Sequence, residues 1–290
     1  MLSGVEAVDV VLIMHVEEDL VNKRGERSKI AVEEQSFNHV SLAIDVLSKE
    51  LGELPLNVAL KYGGSVGDRL VKSKAVQAIP RTWEVELHPH GEKPSPRGWV
   101  EEPCRPEDIR RGARDIVDVL GIEPRGLVFG DWLITREGLE VARESGLSHD
   151  ASYAPYRFNE SFVVKPPFNL LGLIEAPVLS DGQYPVNAVT SPLVDEIISY
   201  VAMKTEGKNC LLHLYFHSYD LFDFHPSHCS LRKDRLKSLK RVLDRLRRLE
   251  AKFLHLTEVE LKYSLYLKEL RLSPFEKVKA TLRRALGQLS

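Results

Sequence analysis

Short apolar runs alternate with longer amphipathic segments along most of the chain, and this alternation restricts the fold more than any other feature of the sequence. The first run, residues 8–14, is rich in β-branched side chains and is too short for a stable helix, which is typical of a strand buried on both faces. Comparable runs predict further strands at 56–60, 83–87, 126–129, 171–178, 210–216 and 253–256.

The segments between these runs carry helical signals. An apolar stripe followed by a glycine predicts a helix over 36–51, and Pro106 stands at the first position of a second predicted helix, which ends at Gly121. Further helices are predicted over 135–145, 192–204 and 233–250. This order of strands and helices predicts an α/β fold with a parallel sheet of about six or seven strands, either open or rolled into a barrel.

The chain length favours one such unit over residues 1–256, because closed α/β barrels use chains of this size. After Thr257 the strand pattern stops. We predict that residues 257–290 form a helical extension, basic at its end, that packs on the barrel or on the partner in a homo-oligomer.

Composition narrows the expected partners and location. The 40 basic and 42 acidic residues leave a formal net charge of −2, which gives no overall attraction for nucleic acid. Three scattered cysteines form neither a disulfide framework nor a CxxC metal motif, so a reducing, cytoplasmic setting is expected. The sequence shows no signal peptide and no apolar stretch of the roughly 18 residues that a membrane span needs, so we expect a soluble protein without a transmembrane segment.

Ionisable residues gather where the predicted strands end, which is where parallel α/β folds bind ligands. His15, Glu17 and Glu18 follow the first strand, and in extended geometry His15 and Glu17 share one side. A plain solvated acidic loop is the alternative interpretation of this segment.

The third predicted strand leads into the loop HPHGEKPSPRG, which contains His88, His90 and Glu92. Imidazole and carboxylate together are the ligands expected for zinc or a similar divalent ion. A surface HPH turn is the alternative. The sequence FHPSHC could also bind metal, but a polar loop is the favoured interpretation there.

Histidines also mark the late apolar strand LLHLYFH. His213, Tyr215 and His217 alternate onto one face, so His217 at the strand end could donate a proton. His213 lies between leucines and is expected to be an interior histidine with its polar atoms satisfied. Dinucleotide, phosphate-loop and serine-hydrolase fingerprints are absent from the sequence.

The order of these strand-end motifs resembles the polysaccharide deacetylase family. IMHVEED is similar to the family's first motif, an acidic pair after the opening strand, and WEVELHPHGEKP is similar to its histidine metal motif. GLVFGDWLITREGLEVARESGLSHDASY resembles its third region and the segment after it, and LLHLYFHSYDL its last motif. The resemblance spans about residues 8–256 and implies a distorted (β/α) barrel of about seven parallel strands.

The family's chemistry implies a divalent metal ion, with zinc expected, and removal of an acetyl group from an amino sugar by activated water. Three departures from the family pattern stand out: His15 replaces the base aspartate, Glu92 replaces the second metal histidine, with His90 as an off-register substitute, and Val128 or Phe129 stands where an arginine supports the base. The predicted site comprises catalytic Glu17, His217 and His15, metal-binding Glu18, His88, His90 and Glu92, and substrate-binding Trp132, Asp131 and Tyr215.

Three hypotheses follow. The first is a metal-dependent hydrolase of C–N bonds acting on a carbohydrate or small amide. The second is a catalytically degenerate relative that binds carbohydrate or a partner, with Trp83, Trp99 and Trp132 as stacking surfaces. The third, a structural or membrane-associated adaptor, depends only on the basic C-terminal helices.

Overall fold

A computed structural model describes residues 8–18, 37–95, 98–205, 208–225 and 228–270 of the chain. Its strands are β1 (Val8–Val16), β2 (Asn57–Gly63), β3 (Glu84–Ser95), β4 (Gly98–Glu102), β5 (Gly126–Leu127), β6 (His149–Asp150), β7 (Phe168–Leu170), β8 (Leu173–Glu175), β9 (Cys210–His217), β10 (Phe222–His225), β11 (His228–Leu231) and β12 (Lys252–Leu254). Its α-helices are α1 (Asn38–Leu51), α2 (Arg69–Lys72), α3 (Pro106–Leu120), α4 (Arg136–Glu144), α5 (Val194–Lys204) and α6 (Lys233–Arg248).

The sheet is parallel along the path β9–β1–β2–β3–β5–β6–β8, which comprises seven strands. A parallel bridge between Val178 and His213 connects the chain after β8 to β9 and so brings the two ends of this path together. The curled parallel sheet confirms the predicted distorted (β/α) barrel.

Two apolar layers hold the barrel together. The larger core lies between the sheet and the helices, where α1 contributes Val40, Ile44 and Leu47. A smaller core fills the barrel interior and includes Val11, Ile13, Ala59, Val128 and Leu256. Alternation along each strand sends successive side chains into these two layers, so residues at every second position reach the barrel axis.

Most predicted elements are present with shifted ends. The five long helices lie where the sequence predicts them, although Ser36, the first residue of the first predicted helix, is outside the described residues. The strand β6 was missed because only two residues pair, too few for a periodic signal.

The prediction of a loop at HPHGEKPSPRG was wrong. The strand β3 continues through this segment to Ser95, and its last five residues pair with antiparallel β4. Proline and glycine lower strand propensity, but here the hairpin partner supplies the backbone hydrogen bonds. The hairpin keeps the alternation of β3, so His88, His90 and Glu92 stay on one face.

The described part of the predicted C-terminal extension, residues 257–270, contains no α-helix, so the helical prediction is wrong for this stretch. Its backbone hydrogen-bonds with the body instead: Leu265 N donates to the Asn209 carbonyl, and Leu267 N to that of Val164. Tyr263 also donates to Asp9 over 2.7 Å at the start of β1. The remaining residues, 271–290, lie outside the described part, and the predicted oligomer contact stays a prediction.

Candidate active site

The candidate site lies at the carboxyl ends of β1, β2, β3 and β9. His15 and His217 are direct neighbours in the register of β1 and β9, while Lys61 is the neighbour of His88 between β2 and β3. Because parallel strands end at one edge of the barrel, these side chains meet although they are far apart in sequence.

Glu17 is the centre of the cluster. Its Oε1 atom lies 3.3 Å from Nε2 of His88, 3.7 Å from Nε2 of His90 and 3.7 Å from Nε2 of His217. The Glu17 side chain is 2% exposed, so the carboxylate is almost completely removed from solvent. Three imidazole nitrogens therefore surround one buried carboxylate oxygen.

The protonation of His88 follows from its hydrogen bonds. Its Nδ1 lies 2.6 Å from the carbonyl oxygen of Val128, and a carbonyl can only accept, so Nδ1 carries the proton. Burial and the neighbouring His90 lower the pKa of His88 to about 4. At neutral pH the Nε2 atom of His88 therefore presents a lone pair toward Glu17 and His90.

His90 connects two groups of acidic side chains. Its Nε2 lies 2.9 Å from Nε2 of His88, and its Nδ1 faces Glu101 at 3.4 Å and Glu92 at 3.6 Å. Burial and the charge of Lys61 disfavour a protonated His90, but the contacts with Glu101 and Glu92 outweigh them and raise its pKa. His90 is thus the donor in its hydrogen bond to His88.

Lys61 forms ion pairs with two of the predicted metal ligands, Glu18 and Glu92. Its ammonium lies 3.0 Å from Oε1 of Glu18 and 2.7 Å from Oε1 of Glu92. Ser65 completes this group: its hydroxyl donates to Glu18 over 3.0 Å and its backbone N–H to Glu92 over 2.7 Å. The structure therefore brings His88 and His90 to Glu17, and brings Glu18 and Glu92 to Lys61.

Sequence reasoning missed Lys61, although a signal was present. In the run LNVALKY, Lys61 shares a face with Asn57 and Ala59, and a lysine on the inner face of a buried strand requires an anionic partner. Asp19, also part of the predicted acidic segment, is outside the described residues.

His15 lies in the middle of an aromatic group. Its ring centroid is 4.6 Å from that of His88, 5.2 Å from that of His217 and 5.2 Å from that of Tyr215. Burial and the nearby His88 lower the pKa of His15 well below its usual value. Among the residues that the structure describes, Nε2 of His15 is buried without a hydrogen-bond partner.

A second missed residue, Asp220, orients His217. Its Oδ2 lies 3.4 Å from Nδ1 of His217, accepts the His217 backbone N–H at 2.8 Å and accepts from Asn187 at 2.7 Å. Burial opposes ionisation of Asp220, yet the hydrogen bonds from His217 and Asn187 outweigh it and lower the pKa of Asp220. Tyr219 stacks on the His217 ring, with centroids 4.5 Å apart.

Two of the predicted substrate-binding residues, Trp132 and Tyr215, lie next to His15. Trp132 is 5.6 Å from His15 and 5.2 Å from Tyr215, measured between ring centroids, so both aromatic residues border the cluster. Asp131 is part-exposed at the rim and pairs with Arg157.

Several other sequence hypotheses have clear outcomes. His213 is buried and its Nδ1 donates to the Ala176 carbonyl over 2.9 Å, although its Nε2 has no hydrogen-bond partner within the described residues. Trp83 is buried in the larger core and is therefore not a stacking surface. The side chains of Trp99 and of both histidines in FHPSHC lie outside the described residues.

The residues around Glu17 fit a divalent cation. Ligand atoms of Glu17, His88 and His90 all lie within 4.8 Å of one another, and the same holds for His15, Glu17 and His217. Two imidazoles and a carboxylate are a ligand set that zinc uses in catalytic sites. The His88 bond to the Val128 carbonyl is also the outer contact that metal-binding histidines usually make, because it fixes the tautomer.

No protein-family model matches the sequence, and no curated protein matches it either. Solved structures do. A protein described as a polysaccharide deacetylase from Mycobacterium smegmatis aligns with a TM-score of 0.57 and 11% identity over 99% of this chain and 93% of that one.

Two other enzymes also align. A GH57-type branching enzyme from Pyrococcus horikoshii has a TM-score of 0.54 and 11% identity, covering 92% of this chain and 73% of that enzyme. A 4-α-glucanotransferase from Thermococcus litoralis has a TM-score of 0.51 and 12% identity, covering 87% of this chain but 38% of that enzyme. In the part of the chain that the structure describes, every helix is too short or too polar to span a membrane.

The curled parallel sheet and the alignment with the Mycobacterium smegmatis structure lead to one conclusion about the fold. The chain has the distorted (β/α) barrel fold of the polysaccharide deacetylases.

Proposed function

We propose that this chain is a divalent-metal-dependent hydrolase of C–N amide bonds that removes the acetyl group from an amino sugar, free or within a polysaccharide. The observation that carries the proposal is the position of Glu17 Oε1, which lies 3.3–3.7 Å from the Nε2 atoms of His88, His90 and His217. A cluster of this composition, buried at the ligand-binding end of a barrel, is suited to hydrolysis.

In this proposal Glu17, His88 and His90 hold the cation, and zinc is the expected ion. Glu18 and Glu92, predicted as ligands from the sequence, instead neutralise Lys61 and keep it beside the site. A bound divalent cation would supply Lewis-acid polarisation of the amide carbonyl.

Two histidines are placed to move protons. His15 is neutral, is buried beside His88 and His217, and has Nε2 without a partner in the described residues, so it is our candidate acceptor of the water proton. His217, 20% exposed and oriented by Asp220, can reach substrate and donate a proton to the leaving amine.

The aromatic side of the site supports a sugar substrate. Trp132 and Tyr215 present ring surfaces next to His15, and Asp131 offers a carboxylate at the rim. Flat aromatic surfaces with a few polar groups suit a sugar ring, which has apolar faces and a polar edge. We also propose a cytoplasmic location, because Cys104 and Cys210 are buried thiols that form no disulfide in the described structure.

Metal analysis of the purified protein tests this function. We expect one tightly bound divalent ion per chain, loss of that ion in His88→Ala, and zinc-dependent acetate release from N-acetylglucosamine oligomers. Lys93→Ala, which removes an exposed lysine from the same strand, should change neither measurement. A wild-type protein that stays metal-free after incubation with zinc would contradict the proposal.

A barrel that binds carbohydrate without hydrolysis is the second candidate. It is favoured by Lys61, because the ion pairs that Lys61 forms with Glu18 and Glu92 leave fewer carboxylates available to bind a metal ion. Oligosaccharide binding by a metal-free protein that releases no acetate would support this candidate over the hydrolase.

A further inference from the structure

The segment after β5 adopts an unusual backbone conformation. Asp131 has φ of 50° and Trp132 has φ of 59°, so two consecutive residues with side chains lie in the left-handed region. This region is unfavourable for residues that carry a Cβ atom, because the Cβ approaches the following carbonyl oxygen. The pair therefore needs contacts elsewhere that hold it in place.

Arg157 supplies those contacts. Its Nε donates to the backbone carbonyl oxygen of Asp131 over 3.0 Å, and its Nη2 donates to the Asp131 carboxylate. One guanidinium thus binds the main chain and the side chain of the same residue, a two-point contact that the planar donor fork of arginine allows. Arg157 belongs to a short 3-10 helix, Pro155–Arg157, that follows β6.

The turn that Arg157 holds contacts the candidate site on both sides. A Cβ atom at Gly130 would lie 2.4 Å from Cγ of His90, so the His90 ring rests directly against the backbone of this turn. On the other side, Trp132 borders His15 and Tyr215. A change in the turn would therefore move a proposed metal ligand and the aromatic wall together.

We propose that Arg157 is a positioning residue: by holding Asp131 and Trp132 in the left-handed conformation, it sets the places of the Trp132 indole and the His90 imidazole. Arg157 itself does not contact the histidine cluster in the described structure. The expected effect of Arg157 on metal binding rests on the proposed function, whereas its effect on the position of the Trp132 indole does not.

Fluorescence and zinc titration of Arg157→Met test the proposal. The emission of Trp132, obtained by subtracting the spectrum of the matching Trp132→Phe protein, should shift to longer wavelength because the indole loses its packed position. Zinc affinity should fall by roughly tenfold to a hundredfold, as for other residues that orient a ligand from outside. Arg136→Met, which breaks an exposed arginine–glutamate pair on α4, is the matched control and should change neither value.

A rescue experiment separates positioning from general stabilisation. Glycine enters the left-handed region without a penalty, so Asp131→Gly should reduce the dependence of the turn on Arg157. Arg157→Met should therefore shift Trp132 emission less in the Asp131→Gly background than in the wild type. If Arg157→Met does not fold, Arg157→Lys replaces it in both backgrounds, since lysine keeps the charge but not the two-point contact.

Unchanged Trp132 emission in the folded Arg157 variant would overturn the proposal, and so would an equal shift in both backgrounds. If the wild-type protein binds no zinc, only the proposed function is rejected. The fluorescence comparison would still decide whether Arg157 positions Trp132.

Discussion

Nζ of Lys61 lies 2.7 Å from Oε1 of Glu92, and both side chains are fully buried. Glu18, on the other side of the ammonium, is a second carboxylate at 3.0 Å. Ser65 donates hydrogen bonds to both carboxylates, which further stabilises these buried anions. The group thus places two buried carboxylates and one buried ammonium at fixed positions beside the histidine cluster.

Removal of the lysine charge should be costly. Lys61→Met leaves Glu18 and Glu92 buried without their counter-ion, and we expect the free energy of unfolding to fall by about 3–5 kcal/mol. Urea denaturation measures this change. Lys49→Met, which removes an exposed helical ion pair with Asp45, should cost under about 0.5 kcal/mol. A Lys61 variant as stable as the Lys49 variant would show that the buried contacts are not formed.

Asp220 should affect turnover more than binding. Asp220→Asn keeps the size of the side chain but removes the charge that orients His217, so kcat for acetate release should fall by about 10²-fold or more with little change in KM. Asp223→Asn, which removes an exposed carboxylate from the neighbouring hairpin, is the control. A rise in KM at constant kcat would instead assign Asp220 to substrate binding.

Gly130 should be required for the geometry of His90. A Cβ atom there would meet the His90 ring at 2.4 Å, so Gly130→Ala has to displace the ring or the turn. We expect zinc affinity to fall by roughly tenfold to a hundredfold in a titration. Gly146→Ala, at a glycine with open space around it, should lower stability but leave zinc affinity unchanged. Equal zinc affinity in wild type and Gly130→Ala would remove His90 from the ligand set.

A buried carboxyl pair away from the site should make stability depend on pH. Burial, and then the neighbouring Asp150, raise the pKa of Glu175 well above its usual value. Between the lower pKa of Glu175 in the unfolded chain and its raised pKa in the folded protein, only the folded protein keeps this carboxyl protonated. The stability that the bound proton contributes is therefore present at low pH and is lost as pH rises toward the folded pKa. Glu175→Gln cannot ionise, and it retains the oxygen that accepts from Tyr153 N.

The stability of Glu175→Gln relative to the wild type should consequently grow as pH rises above the ordinary pKa of a glutamate toward the raised folded pKa, with a limiting slope of about 1.4 kcal/mol per pH unit. Thermal or urea unfolding at several pH values gives this slope. Glu144→Gln, at an exposed glutamate, should show no such trend. A gain that does not vary with pH would mean that Glu175 ionises normally in the folded protein.

The sequence alone determined the fold class and the location of the site. Apolar runs too short for helices and helical stripes ended by Gly52 and Gly121 depend on local periodicity and turn chemistry, so they are readable without coordinates. The rule that parallel strands end at a common edge then identified His15, Glu17, His88 and His217 as neighbours. The hairpin after His90 escaped prediction because its strand is stabilised by a partner strand, not by local propensity.

Only the tertiary structure decided which of the gathered side chains contact one another. Spacing within a strand gives the face on which a residue lies, but not the rotation of the barrel that places Lys61 against Glu18 and Glu92 and leaves Glu17 to the histidines. The same holds for Arg157, which meets Asp131 from a different strand end. Contacts between side chains distant in sequence depend on strand register, twist and packing, which the pattern of a single strand does not contain.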